Sequence, residues 1–339
     1  MFAHPIKQAL IVQKTQYKQR GPVPQDVIDV VDFELPKDVP AGHVRVEVLA
    51  APINPSDVLT LTGQYGVLPP LPAVGGNEGV GRVIATASDV SKPPVGQTVL
   101  LPVGCGTWTT HMDLSAEHLV ALPNDADPKQ LAMMTVNPPT ASLLLSDVVA
   151  LNEGDWVIQN AANSAVGGYV IAFAKMRGLR SVNIVRRESA VADVNSDADV
   201  VLVDGPDLSK RVRAATSDAK IRLGIDAVGG AATESLATCL ANGGTIVNYG
   251  AMSGDPCEVS PLSLIFRDLR LRGFWLSSWY KSADAATRGK LFSEVAGAIA
   301  SGKLSAKIQS TYRLDQIKEA VATAAGGERE GKIVLLPNG

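Results

Sequence analysis

Apolar positions follow two different rhythms along the chain. Up to about residue 127 they come in short runs, VRVEVLAA at 44–51, GVGRVIATA at 79–87 and QTVLLPV at 97–103, each bounded by Gly, Pro or Asp. Runs of that length between turn residues predict a small barrel-like β domain, with the amino-terminal MFAHPIKQALIVQK as the start of its first strand. Helical runs follow around 128–135 and 139–150. From 155 the pattern changes. WVIQNA (156–161) is apolar without alternation, as a strand buried on both faces requires. VGGYVIAFAKMRG (166–178) then lines up Val166, Val170, Phe173 and Ala174 on one helical face. VNIVRR (182–187), DVVLVD (199–204), LGIDAVGG (223–230), GTIVNYG (244–250) and LRLRGFW (269–275) repeat the strand signal between helical segments. Strands alternating with helices predict an α/β fold with a doubly wound parallel sheet. The expected division is a β-rich domain over 1–127, rejoined by 274–339, and a nucleotide-binding domain over 128–273. The last stretch carries a helix at 289–301 and the strand-like KIVLLP.

Composition narrows the class. With 339 residues, 46% hydrophobic and 19% charged, the chain exceeds one ordinary core and reads as a two-domain globular enzyme. No apolar run approaches the roughly 20 residues of a membrane span, and the amino terminus has neither a secretory h-region nor an Arg/Ser-rich transit character. A net charge of −3 with scattered Lys and Arg argues against nucleic acid as a partner. Cys105, Cys239 and Cys257 lie too far apart for a zinc motif or a disulfide framework. A reducing, cytoplasmic setting is expected, and a processed organellar protein would look the same.

The loop after the first strand of the parallel sheet reads QNAANSAVGG and lacks GxGxxG, holding only Gly167 and Gly168. What the chemistry needs is small residues, so that backbone N–H groups approach a pyrophosphate at a helix amino terminus. Asn163, Ser164, Ala165 and Val166 meet that need, with Ser164 or Asn163 as the N-cap. About twenty residues on, where an NAD site has an acid for the ribose hydroxyl, stand Arg186 and Arg187. Two guanidiniums there suit a 2′-phosphate, the alternative being a solvated surface pair. NADPH is the expected cofactor.

The motifs INPSD (53–57), GQYG (63–66), PAVGGNEGVG (72–81), GTW (106–108), VNPPTA (136–141), VIQNAANSAVG (157–167), NIVRR (183–187), NYGAM (248–252) and IFRDLRLRGFWLSSW (265–279) run in order through nearly the whole chain. In these the chain resembles the zinc-free medium-chain dehydrogenases/reductases, and among them the 2-enoyl thioester reductases of mitochondrial-type fatty acid synthesis. The resemblance implies a GroES-like catalytic domain, a Rossmann NADPH domain and a homodimer. It makes Tyr65 the proton donor and puts Asn137 beside the nicotinamide. Asn163 to Val166 become the pyrophosphate turn, and Arg186, Arg187 and Glu188 the 2′-phosphate grip. Tyr249, Gly250, Ala251 and Met252, with Phe274, Trp275 and Leu276, line the cofactor and acyl chain, and Lys332 reaches the cofactor. Two departures stand out. Ala165 replaces a common glycine, which the turn accepts only at negative φ, and 188–198 is several residues shorter than the usual helix.

The substrate class follows from what is missing. Zinc alcohol dehydrogenases hold their metal with Cys, His and an acid. Here Asn77 stands in the histidine position, and INPSD offers Asn54 and Ser56 but no thiol. His43, His111 and His118 read as surface or core residues, so no metal is expected. Hydride then needs an acceptor already activated by conjugation, such as a C=C bond beside a thioester carbonyl on CoA or acyl carrier protein. A phenol keeps its proton at pH 7, so Tyr65 can hydrogen-bond the developing enolate and pass a proton to it. Trp275 and Trp279, with Phe274, suit an acyl slot or a plain core equally well. Glu78 receives no role. An NADPH:quinone oxidoreductase and a non-catalytic NADPH-binding sensor remain the rival readings.

Overall fold

The computed structural model describes residues 9–194, 196–326 and 330–339; the first eight residues of the expected leading strand lie outside them. Described residues fall into two compact units. The first holds those up to Thr135 together with Ala296–Gly302 and those from Lys307 onward, and the second holds Val136–Val295 and Lys303–Ala306. The boundary therefore lies at 135/136 rather than 127/128, because Thr135 is hydrogen-bonded to Glu78 of the first unit. The chain also returns at Ala296 rather than 274. The helix Leu276–Ser282 stays with the second unit, where Trp279 Nε1 donates to Asp147 Oδ2 at 3.2 Å.

In the first unit a seven-stranded sheet is built around the long strand His43–Ile53, which pairs antiparallel with Val80–Thr86, His111–Ser115 and Lys332–Leu335. The valines of VRVEV alternate inward: Val44, Val46 and Val48 are each 0% exposed, on a core shared with Trp108, Ile317 and Val321. Leu10–Tyr17 and Ile28–Leu35 form a separate antiparallel hairpin.

The second unit carries six parallel strands in the spatial order Val200–Val203, Arg180–Val185, Trp156–Gln159, Leu223–Asp226, Thr245–Asn248, Arg270–Gly273. The order reverses between Trp156–Gln159 and Leu223–Asp226. At such a switch point helices leave toward opposite faces and open a crevice at the carboxyl ends of the strands. Trp156–Gln159 is buried throughout, which explains why its run WVI shows no polar alternation. The helix Ala165–Met176 buries Tyr169, Val170 and Phe173 at 0% exposure. Between the second and third strands, the described residues include the 3₁₀ turn Glu188–Asp193.

Candidate active site

In the first unit, Asn54 begins the helix Pro55–Thr62, with Pro55 in the first turn, where its missing N–H costs nothing. The helix ends at Gly63, whose φ of 80° turns the chain back. The N–H groups of Gln64 and Tyr65 then both donate to the Leu59 carbonyl, at 2.8 and 3.2 Å. Tyr65 is therefore tied to the last helical turn rather than carried on a loop tip, and it is half-buried. At the far side of the loop the Arg20 guanidinium donates to the Pro69 carbonyl.

Beneath the start of that helix lies a buried polar network. Asp57 Oδ2 accepts from the Asn54 backbone N–H and Oδ1 from Asn77 Nδ2, both at 2.7 Å. Glu78 Oε1 accepts from Asn54 Nδ2 at 2.7 Å, and Oε2 from the Thr135 hydroxyl at 2.9 Å and its N–H at 3.2 Å. Lys332 Nζ donates to Asn54 Oδ1 at 2.5 Å. Burial pushes the Asp57 carboxyl up to about 7; the Asn54 N–H opposes this, the Glu78 charge adds to it, and Lys332 pulls back. Burial also raises Glu78, against the pull of Lys332, Asn54 and Thr135. Two carboxyls thus share one ammonium in a dry site. The Lys332 side chain, assigned by resemblance to the cofactor, is itself buried among these groups.

In the second unit, Ser164 proves to be the N-cap: its hydroxyl accepts from Gly167 N at 3.1 Å, while Asn163 is exposed. Ala165 is the first helical residue, and the left-handed conformation falls instead on Ala161, at φ 47°. Alanine at 165 is therefore unstrained. Gly167 is required sterically, since a Cβ would lie 2.6 Å from the Ala162 carbonyl oxygen. This is a helix amino terminus pressed against its own strand–helix turn, a cradle that fits a dinucleotide pyrophosphate. Ala162 N–H donates to the Ile184 carbonyl at 3.2 Å, tying the turn to the second strand. Arg186, Arg187 and Glu188 emerge exposed from the end of that strand.

The sheet also brings Tyr249 to the turn, where its phenol hydrogen-bonds Ser164. Burial drives that phenol well above its ordinary range; the Ser164 bond opposes the rise and the nearby Asp226 adds to it. After Tyr249 the chain runs past the fourth strand, Met252 N–H donating to the Ala227 carbonyl at 3.2 Å, with Ala251 and Met252 exposed. Asn137 opens the helix Asn137–Ser146 and is 6% exposed. Phe274, Leu276 and Trp279 are half-buried and Trp275 is 40% exposed, so none of the four belongs to the core.

Sequence reading passed over Asp226. Its Oδ1 accepts from Asn160 Nδ2 at 2.6 Å and from the N–H groups of Val228 and Gly229 at 2.9 and 3.1 Å. Its Oδ2 accepts from the Thr233 hydroxyl at 2.7 Å and Asn248 Nδ2 at 3.1 Å. Burial acts to raise this carboxyl, but the hydrogen bonds outweigh it and hold it below its ordinary value. The signal available was an acid closing an apolar strand, LGID, before Gly-Gly.

Residues 40–124 match the alcohol dehydrogenase GroES-like domain, and 165–290 match the zinc-binding dehydrogenase model. The mitochondrial enoyl-acyl-carrier-protein reductase of Rattus norvegicus is 40% identical over 305 residues, 88% of this chain and 82% of its own length. The chain belongs to this enoyl reductase family. Its fold matches the solved Etr1p/NADP/crotonyl-CoA complex at a TM-score of 0.87 and 25% identity, covering 96% of this chain and all of that one. A putative NADPH:quinone reductase from Bacillus thuringiensis matches at 0.86 and 27% identity, over 96% and 99% of the two chains. Among the described residues no three His, Cys, Asp or Glu side chains cluster to hold a metal, and Asn77 spends its amide on Asp57.

Proposed function

We propose that this chain reduces the C=C bond of trans-2-enoyl thioesters with NADPH, yielding the saturated acyl thioesters of fatty acid metabolism. The observation that carries the reading is the match to enoyl-acyl-carrier-protein reductases across 88% of the chain. NADPH supplies the hydride; everything else falls to the protein. The N–H groups at the start of Ala165–Met176 hold the pyrophosphate, with Ser164 kept in place by Gly167 and Tyr249. Arg186 and Arg187, beside Glu188, pair with the 2′-phosphate, a choice supported by their exposure at the end of the second strand. Asn137, Tyr249 to Met252 and Phe274 to Leu276 line the cofactor, and Lys332 reaches toward it. Tyr65 donates its hydroxyl proton toward the thioester end of the acceptor, stabilising charge there as the double bond is reduced. Trp275 and Trp279 bound the acyl chain, supported by their lying outside the core. No metal takes part, because the donor set does not suit one.

The thioester of this reading is carried on CoA or on acyl carrier protein. The chain forms a homodimer, through the open edge strand Arg270–Gly273 and the neighbouring helix Pro261–Arg267. There Leu262, Ile265 and Phe266 stand 64%, 70% and 75% exposed, more apolar surface than an unpartnered face ordinarily shows. No helix among the described residues is long and apolar enough to cross a membrane. Three unbridged cysteines suit a reducing compartment, the cytoplasm in the reading from sequence and the mitochondrion in the names of the relatives.

The structural match to a putative quinone reductase keeps quinone reduction as a second reading. One experiment separates the two: NADPH oxidation by chelator-treated protein with enoyl-CoAs of increasing length, and with a quinone. Turnover of the enoyl-CoAs is expected. Turnover of the quinone alone would overturn the assignment.

A further inference from the structure

The helix leading to Tyr65 has eight residues, Pro55–Thr62. Helices that short do not persist on their own, so its position is set by what its ends and buried face grip. Leu61 seats the face, at 1% exposure. The carboxyl end is shaped by Gly63 and by the Leu59 carbonyl, which takes the N–H groups of Gln64 and Tyr65. At the amino end Asn54 and Asp57 form a reciprocal capping box. Asp57, 3% exposed, reaches back to the Asn54 N–H with one oxygen and across to Asn77 with the other. Asn54 and Glu78 then fasten that end to Lys332 and Thr135.

We propose that Asp57 is a positioning residue for Tyr65, locking the helix that carries the phenol into the buried Asn54–Asn77–Glu78–Thr135–Lys332 network. The proposal rests on the enoyl reductase reading for its kinetic consequence and on geometry alone for its structural one. An eight-residue helix is about 12 Å long, so a tilt of about 5° at the anchored end moves the other by about 1 Å. Displacement on that scale costs a reaction as much as roughly a hundredfold. The ionised carboxylate serves both donors best, since protonation weakens one oxygen as an acceptor and adds an O–H that must find its own partner. Burial, with the Glu78 charge adding to it and Lys332 opposing it, brings its ionisation to about pH 7; Tyr17, with Arg20 beside it, faces the same carboxyl from the neighbouring strand.

The test compares wild type with Asp57→Asn, and with Asn77→Ala in case the first variant folds poorly. Crotonyl-CoA reduction is followed from pH 5.5 to 8.5, and amide hydrogen exchange is measured at Gln64 and Tyr65. Expected for Asp57→Asn are a kcat about tenfold lower, a KM for NADPH within about twofold of wild type, and faster exchange at both amides. Wild-type kcat should climb through about pH 7, and the variant's profile should lose that inflection. Asn77→Ala should move kcat and exchange in the same direction by a smaller factor. Wild-type kcat and pH profile in a folded Asp57→Asn protein, or a loss confined to melting temperature, would overturn the proposal. If wild type turns over no enoyl-CoA, the functional reading fails separately, and unchanged exchange at Gln64 and Tyr65 would then overturn the positioning role too.

Discussion

Replacing Asp226 with Asn keeps the shape of the side chain and removes one acceptor. The carboxylate takes five hydrogen bonds, three on Oδ1 and two on Oδ2, inside a site that is 0% exposed. An asparagine would turn its oxygen to the side of Asn160, Val228 and Gly229 and present its NH₂ to Thr233 and Asn248. The Thr233 hydroxyl can rotate and accept. Asn248 Nδ2 would face another donor, keeping only its 2.9 Å bond to the Gly250 carbonyl. One charge-assisted bond is lost outright and four lose their charge assistance. At about 1.5–3 kcal/mol for a hydrogen bond to a charged group against about 1 for a neutral one, the loss is at least about 3.5 kcal/mol of folding stability. The assay is urea or guanidinium unfolding at pH 7, with the m-value checked for two-state behaviour. Because the folded carboxyl lies below its ordinary value, its stabilisation is present above about pH 4 and lost as pH falls through the folded value. The gap between wild type and variant should therefore narrow in acid. A loss under about 1 kcal/mol at pH 7, or a gap unchanged in acid, would refute the account of this carboxylate as an ionised tie across three strands.

Tyr65→Phe should leave melting temperature and NADPH affinity nearly unchanged and lower kcat on a short enoyl-CoA by roughly 10²–10⁴, about 3–5 kcal/mol of barrier; near wild-type turnover would return Tyr65 to a structural role. Replacing Arg186 and Arg187 together with Ala should raise KM for NADPH at least about tenfold while sparing kcat, and equal efficiency of wild type with NADH and NADPH would contradict the assignment. Stability of wild type should fall as pH rises from about 4 to about 7. Asp57, raised to about 7, keeps a proton there that the unfolded chain has already released. The contribution is at most about 4 kcal/mol, and Asp57→Asn should flatten the curve in a pH series of denaturant midpoints. Zinc near one equivalent per chain by elemental analysis, with activity lost on chelation, would disprove the metal-free reading; intact activity in chelator is expected.

The chain's own pattern was enough for the central strands of the parallel sheet, because a strand covered on both faces shows no polar alternation, and Trp156–Gln159 and Leu223–Asp226 are buried throughout. The turn at the start of the helix Ala165–Met176 and the place of Arg186 and Arg187 at the end of the second strand were legible too, since these are local: the turn lies within eight residues of its strand, and Arg186 follows Val185 directly. Alternation alone placed the valines of His43–Ile53 in the core. Contacts between distant residues were not legible. Asn54 meets Lys332 across 278 positions, and Asn160 meets Asp226 across 66. Whether an acid such as Glu78 or Asp226 is a solvated surface charge or a buried anchor depends on which donors the folded chain brings to it. A hydrogen bond needs its partner within about 3 Å, and no run of neighbouring residues encodes that partner. The same holds for the backbone strain, which the fold assigned to Ala161 and spared Ala165, and for the return of the chain at Ala296. Periodicity and local motif thus specified the elements and the likeness of the site, while the buried charges that hold the site in place exist only once the elements have packed.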